Sequence, residues 1–499
     1  MKQKTSTYVY SLAAPIGGLN LRDPLEQMPE TDARTLINWF PDTSKISVRK
    51  GYTEYVTTGM GSGAVGFIQE LALPSGTNKL LAGANSNLYD VSTSTPSSIA
   101  SSLTNNNWSV THFANRLFLV NGADAPRDWD GTTLTSTAWT GSGLTIADLN
   151  YVMSFNERLY LIEKDTFSIW YGGTLGVTGA LTKLDLSGVF KRGGYLLAAV
   201  DLSKDNSSGE TAQIAFFSSE GEVAIYQGTD PGASNWVRVR QTTIPRAINA
   251  NCIKNFGSDV LIFTENGVFT LSQLLDQNAI GRAYAITDKI NDGIETAYNA
   301  YNQLSEWSVF LAPTQRKLYL NIPTSPTTAD QFVLNTRTGA ACLYTNVDAA
   351  CWCLFNDQPY FGSFDGKIYA AETGTDDNGS PIPIDITSAP IYAGNRDRNK
   401  RFVQTRVTLA ITNDVTVGYG MGSDFEIPNL DYGINVDLNT TDWGADWGSD
   451  WSEEEGLFNN WIVTPAQGTS GTIRVAGYVQ GAGVELSRYQ FKLKLGGYI

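Results

Sequence analysis

The chain has 499 residues, which is too long for one ordinary domain and predicts two to four. Only 17% of the residues are charged, whereas glycine is frequent and aromatic residues reach 11%, a composition that favours many short strands joined by tight turns. The net charge of −15 lacks the basic excess that a stable complex with nucleic acid normally needs, so the chain is not expected to grip DNA or RNA.

The N-terminus predicts neither a signal peptide nor a membrane anchor. The apolar stretch at residues 8–14 is broken by Ser11, stops at Pro15 and is short for a signal sequence. No segment approaches the ~20 consecutive apolar residues of a membrane span. We therefore expect a protein that is made in a cytoplasm and does not insert into a membrane.

Residues 1–60 predict an extended N-terminal arm. Gly17-Gly18, Pro24, Pro29 and Pro41 interrupt any long regular element. Within the arm, residues 32–38 predict one short helix, with Asp32 near its cap.

Residues 61–375 contain a coarse repeat of about forty residues that predicts a β-propeller of five to six blades. An aromatic residue, a turn and an apolar strand recur, as in FANRLFLV from Phe113 and FNERLYLI from Phe155. Each unit predicts an antiparallel meander, and radial stacking would cover its faces. Insertions are expected at about 172–210 and 272–306, with residues 283–301 partly helical. A set of separate β-sandwiches with chance similarity is the alternative.

A polar, turn-rich break at residues 376–381 separates this repeat from a predicted C-terminal β-sandwich-like domain at 384–499. Alternating patterns predict its strands at 402–411, 415–419, 471–479 and 489–495.

Candidate catalytic and metal-binding residues are few, and we predict no enzyme activity, no cofactor and no metal site. His112 is the single histidine, so a hydrolytic triad has no other base, and we interpret it as structural. Asp124, Asp128 and Asp130 precede a glycine as calcium ligands can, but the loop lacks a full calcium-binding pattern, which favours a solvated turn. The four cysteines do not form a disulfide framework in a chain this long, and two of them, Cys351 and Cys353, lie on one face of a predicted strand.

Three tryptophans at a spacing of four residues, Trp443, Trp447 and Trp451, lie in an acidic segment rich in glycine. Such a segment disfavours a helix. The tryptophans predict either packing on the chain's own sheet or an interface with another subunit, where tryptophan is favoured.

The N-terminal segment contains a series of short motifs: Ala14-Pro15-Ile16-Gly17-Gly18-Leu19-Asn20-Leu21-Arg22-Asp23-Pro24, Met28-Pro29, Asp32-Ala33, Leu36, Asn38-Trp39-Phe40-Pro41 and Val48-Arg49-Lys50-Gly51-Tyr52. With these residues the segment resembles the opening of the tail nozzle proteins of short-tailed bacteriophages (podoviruses), also known as packaged-DNA stabilisation or tubular tail proteins. The resemblance covers about the first 60 residues, and the tryptophan-rich segment followed by Gly477, Gly481 and Gly483 is similar to their C-terminal region.

This resemblance implies a structural subunit of a hexameric ring in the virion tail, made in the bacterial host cytoplasm. The implied partners are the tail adaptor, the tail fibres or spikes, and DNA that passes through the lumen. Since the chain is acidic, we expect the lumen to repel phosphate and to let DNA slide without tight binding. We expect the arm to be ordered by a neighbouring subunit or the adaptor. The expected interface residues are Gly17, Gly18, Leu19, Asn20, Arg22, Trp39, Phe40, Trp443, Trp447 and Trp451.

Two other functions remain open from the residues alone. One is a propeller protein that binds carbohydrate, with the three tryptophans as a stacking platform. The other is a propeller glycosidase, because 50 Asp and Glu residues offer many carboxylate pairs.

Overall fold

Almost all of the regular structure is β-strand. The computed structural model describes residues 7–202, 204–206, 209–277, 285–430, 432–436 and 456–498. Within these residues the α-helices are α1 (Leu271–Gln277) and α2 (Asn291–Tyr301), and α2 confirms the helix expected within 283–301. None of the helices in this part of the chain is long and apolar enough to cross a membrane. The mostly-β prediction is confirmed.

The first five strands come from the segment that was predicted to be an arm. They are β1 (Thr7–Ala13), β2 (Ala33–Ile37), β3 (Trp39–Pro41), β4 (Ile46–Val48) and β5 (Tyr52–Val56). β1, β2, β4 and β5 each pair with a strand from a distant part of the sequence, and β3 pairs with β4.

Seven antiparallel meanders follow, each running from its innermost strand outward. The first four are β6 (Val65–Leu71), β7 (Lys79–Ala84), β8 (Asn87–Asp90), β9 (Ser97–Ala100); β10 (Ser109–Phe113), β11 (Arg116–Val120), β12 (Arg127–Trp129), β13 (Leu134–Ser136); β15 (Leu149–Phe155), β16 (Arg158–Glu163), β17 (Ser168–Tyr171), β19 (Thr182–Asp185); and β20 (Leu196–Asp201), β23 (Gln213–Ser218), β24 (Glu222–Gln227), β25 (Val237–Thr243). Two short pairs lie beside them, β14 (Trp139–Thr140) with β18 (Gly179–Ala180), and β21 (Lys204–Asn206) with β22 (Gly209–Thr211).

The last three meanders are β26 (Ile253–Phe256), β27 (Asp259–Thr264), β28 (Gly267–Thr270); β29 (Ser308–Ala312), β30 (Lys317–Ser325), β31 (Thr328–Asn335), β32 (Ala341–Tyr344); and β33 (Ala349–Phe355), β34 (Gln358–Ser363), β35 (Ile368–Ala371), to which β5 adds the outermost strand. The N-terminal strand β5 thus completes the last sheet, which joins the two ends of the ring.

Buried apolar clusters connect each meander to the next and close the ring. Phe67 and Trp108 lie in one cluster shared by the first and second sheets, and Phe118 and Leu161 lie in the next. The series ends where Phe355 of the last sheet packs in one cluster with strands of the first, and β33 contacts β6 directly. The apolar faces that each meander leaves open are therefore covered by its two neighbours, which is the packing of a β-propeller.

The repeated sequence motif marks the hairpin between the first two strands of a blade. Ala114 and Asn115 have positive φ angles of 49° and 59°, and Asn156 and Glu157 follow the same pattern at 45° and 58°. Two consecutive left-handed residues form the turn whose twist matches that of the flanking strands. The predicted aromatic–turn–strand unit is confirmed in this way.

The prediction of five to six blades is confirmed, whereas one insertion needs correction. Six of the meanders form sheets of their own, and the meander β29–β32 belongs to a larger sheet that continues into the C-terminal part. The segment 172–210 is not an insertion, because it holds β19 of the third blade and the innermost strand β20 of the fourth. The segment 272–306 carries α1 and α2 between two blades.

The remaining strands form a two-sheet sandwich with the N-terminal strands. They are β36 (Ile382–Ser388), β37 (Arg398–Ile411), β38 (Val415–Ser423), β39 (Tyr432–Val436), β40 (Gly456–Phe458), β41 (Ile462–Gly468), β42 (Gly471–Val479) and β43 (Val484–Tyr498). One sheet runs β32-β2-β36-β42-β38-β39, and the other contains β3, β4, β43, β37 and β40, with β1 on β43 and β41 on β37. All four strands predicted from alternation lie within β37, β38, β42 and β43.

The predicted arm and its helix are wrong. β2 lies between β32 and β36 and hydrogen-bonds to both, so residues 33–37 are a strand and not a helix. Backbone pairing on two sides outweighs the local capping signal, because a short helix gains little without packing. The sandwich is also not a separate domain at 384–499, since it takes four strands from residues 7–48 and one of its sheets continues directly from a blade.

Candidate functional site

The innermost strands of the propeller surround an axial cavity of about 860 Å³. Residues of β6, β10, β15, β26, β29 and β33 line it. Seven of the lining residues are asparagines: Asn106, Asn107, Asn150, Asn249, Asn251, Asn255 and Asn302. The cavity is therefore rich in neutral hydrogen-bonding groups.

The titratable groups of the cavity are not arranged as an acid–base pair. His112 Nε2 lies 2.5 Å from the main-chain oxygen of Glu70, whereas the Glu70 carboxylate accepts hydrogen bonds from Asn78 Nδ2 at 2.6 Å and from the main-chain N–H of Asn356. His112 is open to solvent within the cavity, and the surrounding protein lowers the pKa of its ring by desolvation. A hydrolytic base needs a carboxylate on its second nitrogen, and the Glu70 carboxylate faces the hairpin turns instead.

Lys254 projects into the same cavity. Its side chain is accessible to water within the cavity, yet protein surrounds it, and this burial lowers the pKa of the ammonium group. The thiols of Cys252 and Cys353 oppose this effect electrostatically. A lysine with a lowered pKa is a candidate nucleophile when a substrate lies beside it.

The four cysteines lie in surroundings that are typical of structural cysteines and not of reactive ones. Burial raises the pKa of the Cys252 and Cys353 thiols to about 12, and it also raises the pKa of Cys342 and Cys351. Cys351 Sγ donates to the main-chain oxygen of Val65 at 3.2 Å, which ties β33 to β6 across the ring closure.

We expect these thiols to react slowly, because the thiolate is the nucleophile and little of it is present at neutral pH. Treatment of the folded chain with Ellman's reagent near pH ~8 should release less than about one equivalent of the chromophore within minutes. The same chain in denaturant should release four. Rapid reaction of two thiols in the folded chain would contradict this and indicate that Cys351 and Cys353 are reached from the cavity.

The three aspartates considered as calcium ligands are engaged in contacts within the chain, and Arg116 pairs with both Asp128 and Asp130. Asp124 accepts hydrogen bonds from the main chain and hydroxyl of Thr104, while Asp128 accepts them from Arg116 and from Thr135. Asp130 closes its own turn by accepting from the main chain of residues 132 and 133. Within the part of the chain that the structure describes, no three His, Cys, Asp or Glu side chains lie together as metal ligands would.

The N-terminal residues predicted as an interface lie mostly in the chain's own core. Trp39 is fully buried and Leu19 nearly so, and Phe40 lies under the Lys317 ammonium, whose nitrogen is 4.6 Å from the ring centroid. Gly17 and Gly18 precede β2, and Gly18 has a φ of +82°. A Cβ there would lie 2.7 Å from the main chain of Ala341, so a side chain does not fit. Leu19 joins β2 to β32, since it pairs with Ala33 and its main-chain N–H donates to the oxygen of Ala341.

Asn20 and Arg22 connect the same segment to the region before α2. Asn20 is buried, and its amide donates to Asp23 Oδ2 at 2.9 Å and to Asp32 Oδ2 at 2.8 Å. Arg22 is 43% exposed and pairs with Asp23 and Asp288. Of the predicted interface residues that the structure describes, Arg22 is the one with a largely exposed side chain. Trp443, Trp447 and Trp451 lie outside the described residues.

A buried ion pair at the junction of propeller and sandwich was missed by the sequence reasoning. Arg49 donates to Asp377 at 2.7 and 2.6 Å, and its guanidinium also donates to Asn38 Oδ1 and to the main-chain oxygen of Thr345. Next to Arg49, Gly51 packs so closely on Asp376 that a Cβ would lie 1.6 Å from its main-chain oxygen. In the sequence, residues 48–52 carry only the resemblance given above, and residues 376–381 predict only a polar, turn-rich break.

Comparison with known proteins assigns the chain to no family. No family model matches the chain, and no curated protein matches it. Among solved structures, YCF48 from Cyanidioschyzon merolae is 8% identical, with a TM-score of 0.38 over 64% of this chain and 98% of that chain. BBS1N in complex with ARL6DN is 9% identical, with a TM-score of 0.41 over 65% and 98%. The computationally designed Ika8 protein is 10% identical, with a TM-score of 0.38 over 64% and 99%. At these values the likenesses carry no functional argument, and the propeller assignment rests on the strand pairing described above.

Proposed function

We propose that the chain is a structural subunit of a closed ring, the tail nozzle of a short-tailed bacteriophage, and that it is not an enzyme. One structural observation supports this most. The N-terminal residues that carry the resemblance to nozzle proteins, among them Gly18, Trp39 and Arg49, fix the propeller and the sandwich to each other. Proteins with the same architecture would need similar residues at this junction, so the shared motif supports a common architecture.

The packing at the junction would also make the subunit rigid. One continuous apolar cluster contains Phe263 of the propeller, Leu36 of the N-terminal segment and Phe491 of the sandwich. Close-packed cores deform little. A ring assembled from such subunits would keep a lumen of fixed width, through which DNA passes towards the host. The excess of acidic residues would repel the phosphates and limit adhesion of the DNA.

In this proposal the ring joins a tail adaptor on one side and fibres or spikes on its periphery. Rings of identical subunits arise from heterologous contacts that close after a fixed number of copies. The proposal therefore predicts a defined particle rather than a concentration-dependent mixture.

The mass of the purified chain tests this proposal. We expect native mass spectrometry and mass photometry to show a closed particle of about six copies of the 54.2 kDa chain, and negative-stain micrographs to show a ring with a central opening. A chain that stays monomeric at micromolar concentrations contradicts the proposal. If that monomer binds or cleaves polysaccharides, the carbohydrate-binding or glycosidase function takes its place.

A further inference from the structure

The outer surface of one sandwich sheet is basic, although the chain as a whole is acidic. The basic face consists of Arg401 and Arg406 on β37 and Arg488, Lys492 and Lys494 on β43. The residues that alternate with them, such as Phe402, Phe491 and Leu493, are buried in the sandwich core. The five cations consequently project from the opposite, solvent-facing side of the sheet.

The strand register places no acidic residue among these cations. β1 contributes Thr7, Val9, Ser11 and Ala13 opposite Lys494, Lys492, Gln490 and Arg488. On the other side of β37, the partners from β41 are Gln467 and Val463. Among the ion pairs of the described residues, none involves any of the five cations.

Two of the cations are held in place around one aromatic ring. The Arg406 guanidinium lies 4.7 Å from the centroid of the Trp461 ring, and Lys492 Nζ lies 4.3 Å from it. Lys492 also donates to Gln404 Oε1 at 2.9 Å, and Arg406 Nε donates to Gln490 Oε1 at 2.7 Å. None of these partners neutralises charge. The side chains are therefore ordered before any partner arrives, which lowers the entropy lost on binding.

The fold itself gains nothing from this concentration of charge. Arg401 lies directly across from Lys494 in the strand register, and like charges in a cross-strand pair are destabilising. Exposed valines accompany the cations, since Val9 is 54% and Val463 57% exposed. Protein interfaces combine apolar contact with charges that complement the partner.

We propose that the basic face docks against an acidic surface of a second copy of this chain, as one side of the contact that repeats around the ring. This inference rests on the proposed function. The whole chain has 35 basic and 50 acidic residues, so the surface outside the basic face is more acidic still. Two basic faces repel each other, which excludes a contact between equivalent faces and requires a heterologous one.

A protein partner fits this surface better than a nucleic acid. Arg406 and Lys492 direct donors to glutamine side chains and to Trp461, which leaves fewer donors for phosphate oxygens. The acidic remainder of the chain would also repel an extended polyanion. An apolar rim of valine side chains has no counterpart on a phosphate backbone.

Charge reversal of two cations tests the docking. R401E/K494E leaves a pair of like charges across β37 and β43, so the cross-strand repulsion within the sheet is unchanged. R192E/R337E is the matched control, because it reverses two exposed arginines outside the basic face and changes the net charge equally. Circular dichroism and thermal unfolding of both variants establish that each is folded. Should R401E/K494E not fold, R401Q/K494Q replaces it, with a smaller effect of the same direction expected.

Mass photometry across a salt series gives the outcome. We expect the wild-type ring to dissociate more readily as salt rises, R401E/K494E to assemble at least about tenfold more weakly, and R192E/R337E to assemble as the wild type does. A ring that forms equally well from R401E/K494E overturns the docking proposal and leaves the proposed function standing. A wild-type chain that is monomeric at every salt concentration overturns both.

Titration of a duplex oligonucleotide tests whether the partner of the basic face is a nucleic acid instead of a protein. Fluorescence anisotropy of a labelled duplex, titrated with the wild type and with R401E/K494E, should show weak binding that the variant does not change. Salt-sensitive binding that the wild type shows and R401E/K494E loses, with the ring intact in both, would identify the face as a nucleic-acid surface and overturn the proposal.

Discussion

Replacement of Arg49 by methionine is expected to lower the free energy of unfolding by about 3–5 kcal/mol, because the Asp377 carboxylate would stay buried without its counter-charge. The two side chains are 1% and 3% exposed, and the guanidinium donates to both carboxylate oxygens. The same guanidinium satisfies the oxygens of Asn38 and Thr345. Denaturant unfolding followed by tryptophan fluorescence measures the loss.

A surface pair supplies the control for this measurement. Arg246 lies 3.9 Å from Glu220, both side chains are more than 40% exposed, and R246M should cost less than about 1 kcal/mol. Burial raises the pKa of Asp377 in spite of Arg49, so desolvation of the carboxylate is the larger effect. The double variant R49M/D377L, which removes both charges, should therefore be more stable than R49M alone. If R49M costs no more than R246M, the junction does not depend on this pair.

Deletion of residues 1–48 is expected to abolish the folded chain rather than to release a detachable arm. The deletion removes β1–β4. Among these strands, β2 links β32 of the propeller to β36 of the sandwich. Leu36, Trp39 and Ile46 are fully buried, and each such side chain contributes about 1.5–3 kcal/mol. Their combined loss approaches the total stability of about 5–15 kcal/mol that native proteins have. Solubility, circular dichroism and size-exclusion chromatography of the truncated chain test this.

Single substitutions separate loss of packing from loss of chain length. L36D places a charge in the core beside β32 and should reproduce the effect of the deletion, whereas L21D changes a side chain that is 38% exposed and should be tolerated. A truncated chain that remains soluble and folded, but no longer joins the tail, would restore the interpretation of residues 1–60 as an assembly arm.

The propeller can be predicted from the residues alone, because the relevant signals are local. A hairpin turn needs two left-handed residues and its strands need alternating apolar side chains, so the units at Phe113 and Phe155 are visible at short range. The same holds for β37, β38, β42 and β43 in the sandwich. The continuation of the meander β29–β32 into the sandwich is not visible in the sequence, because β32 pairs with β2, some 300 residues earlier in the chain.

The role of the N-terminal segment and the positions of the charged residues depend on long-range contacts. Glycines and prolines at 17–41 are typical of an irregular arm, yet strands from elsewhere cover both edges of β2, a contact that no local pattern encodes. The partner of Arg49 lies 328 residues away, and no spacing rule connects the two. Net charge likewise does not say where charges lie: Arg401 and Lys494 meet only because β37 and β43 pair in one register. Long-range pairing thus determined which residues form a core and which form a surface.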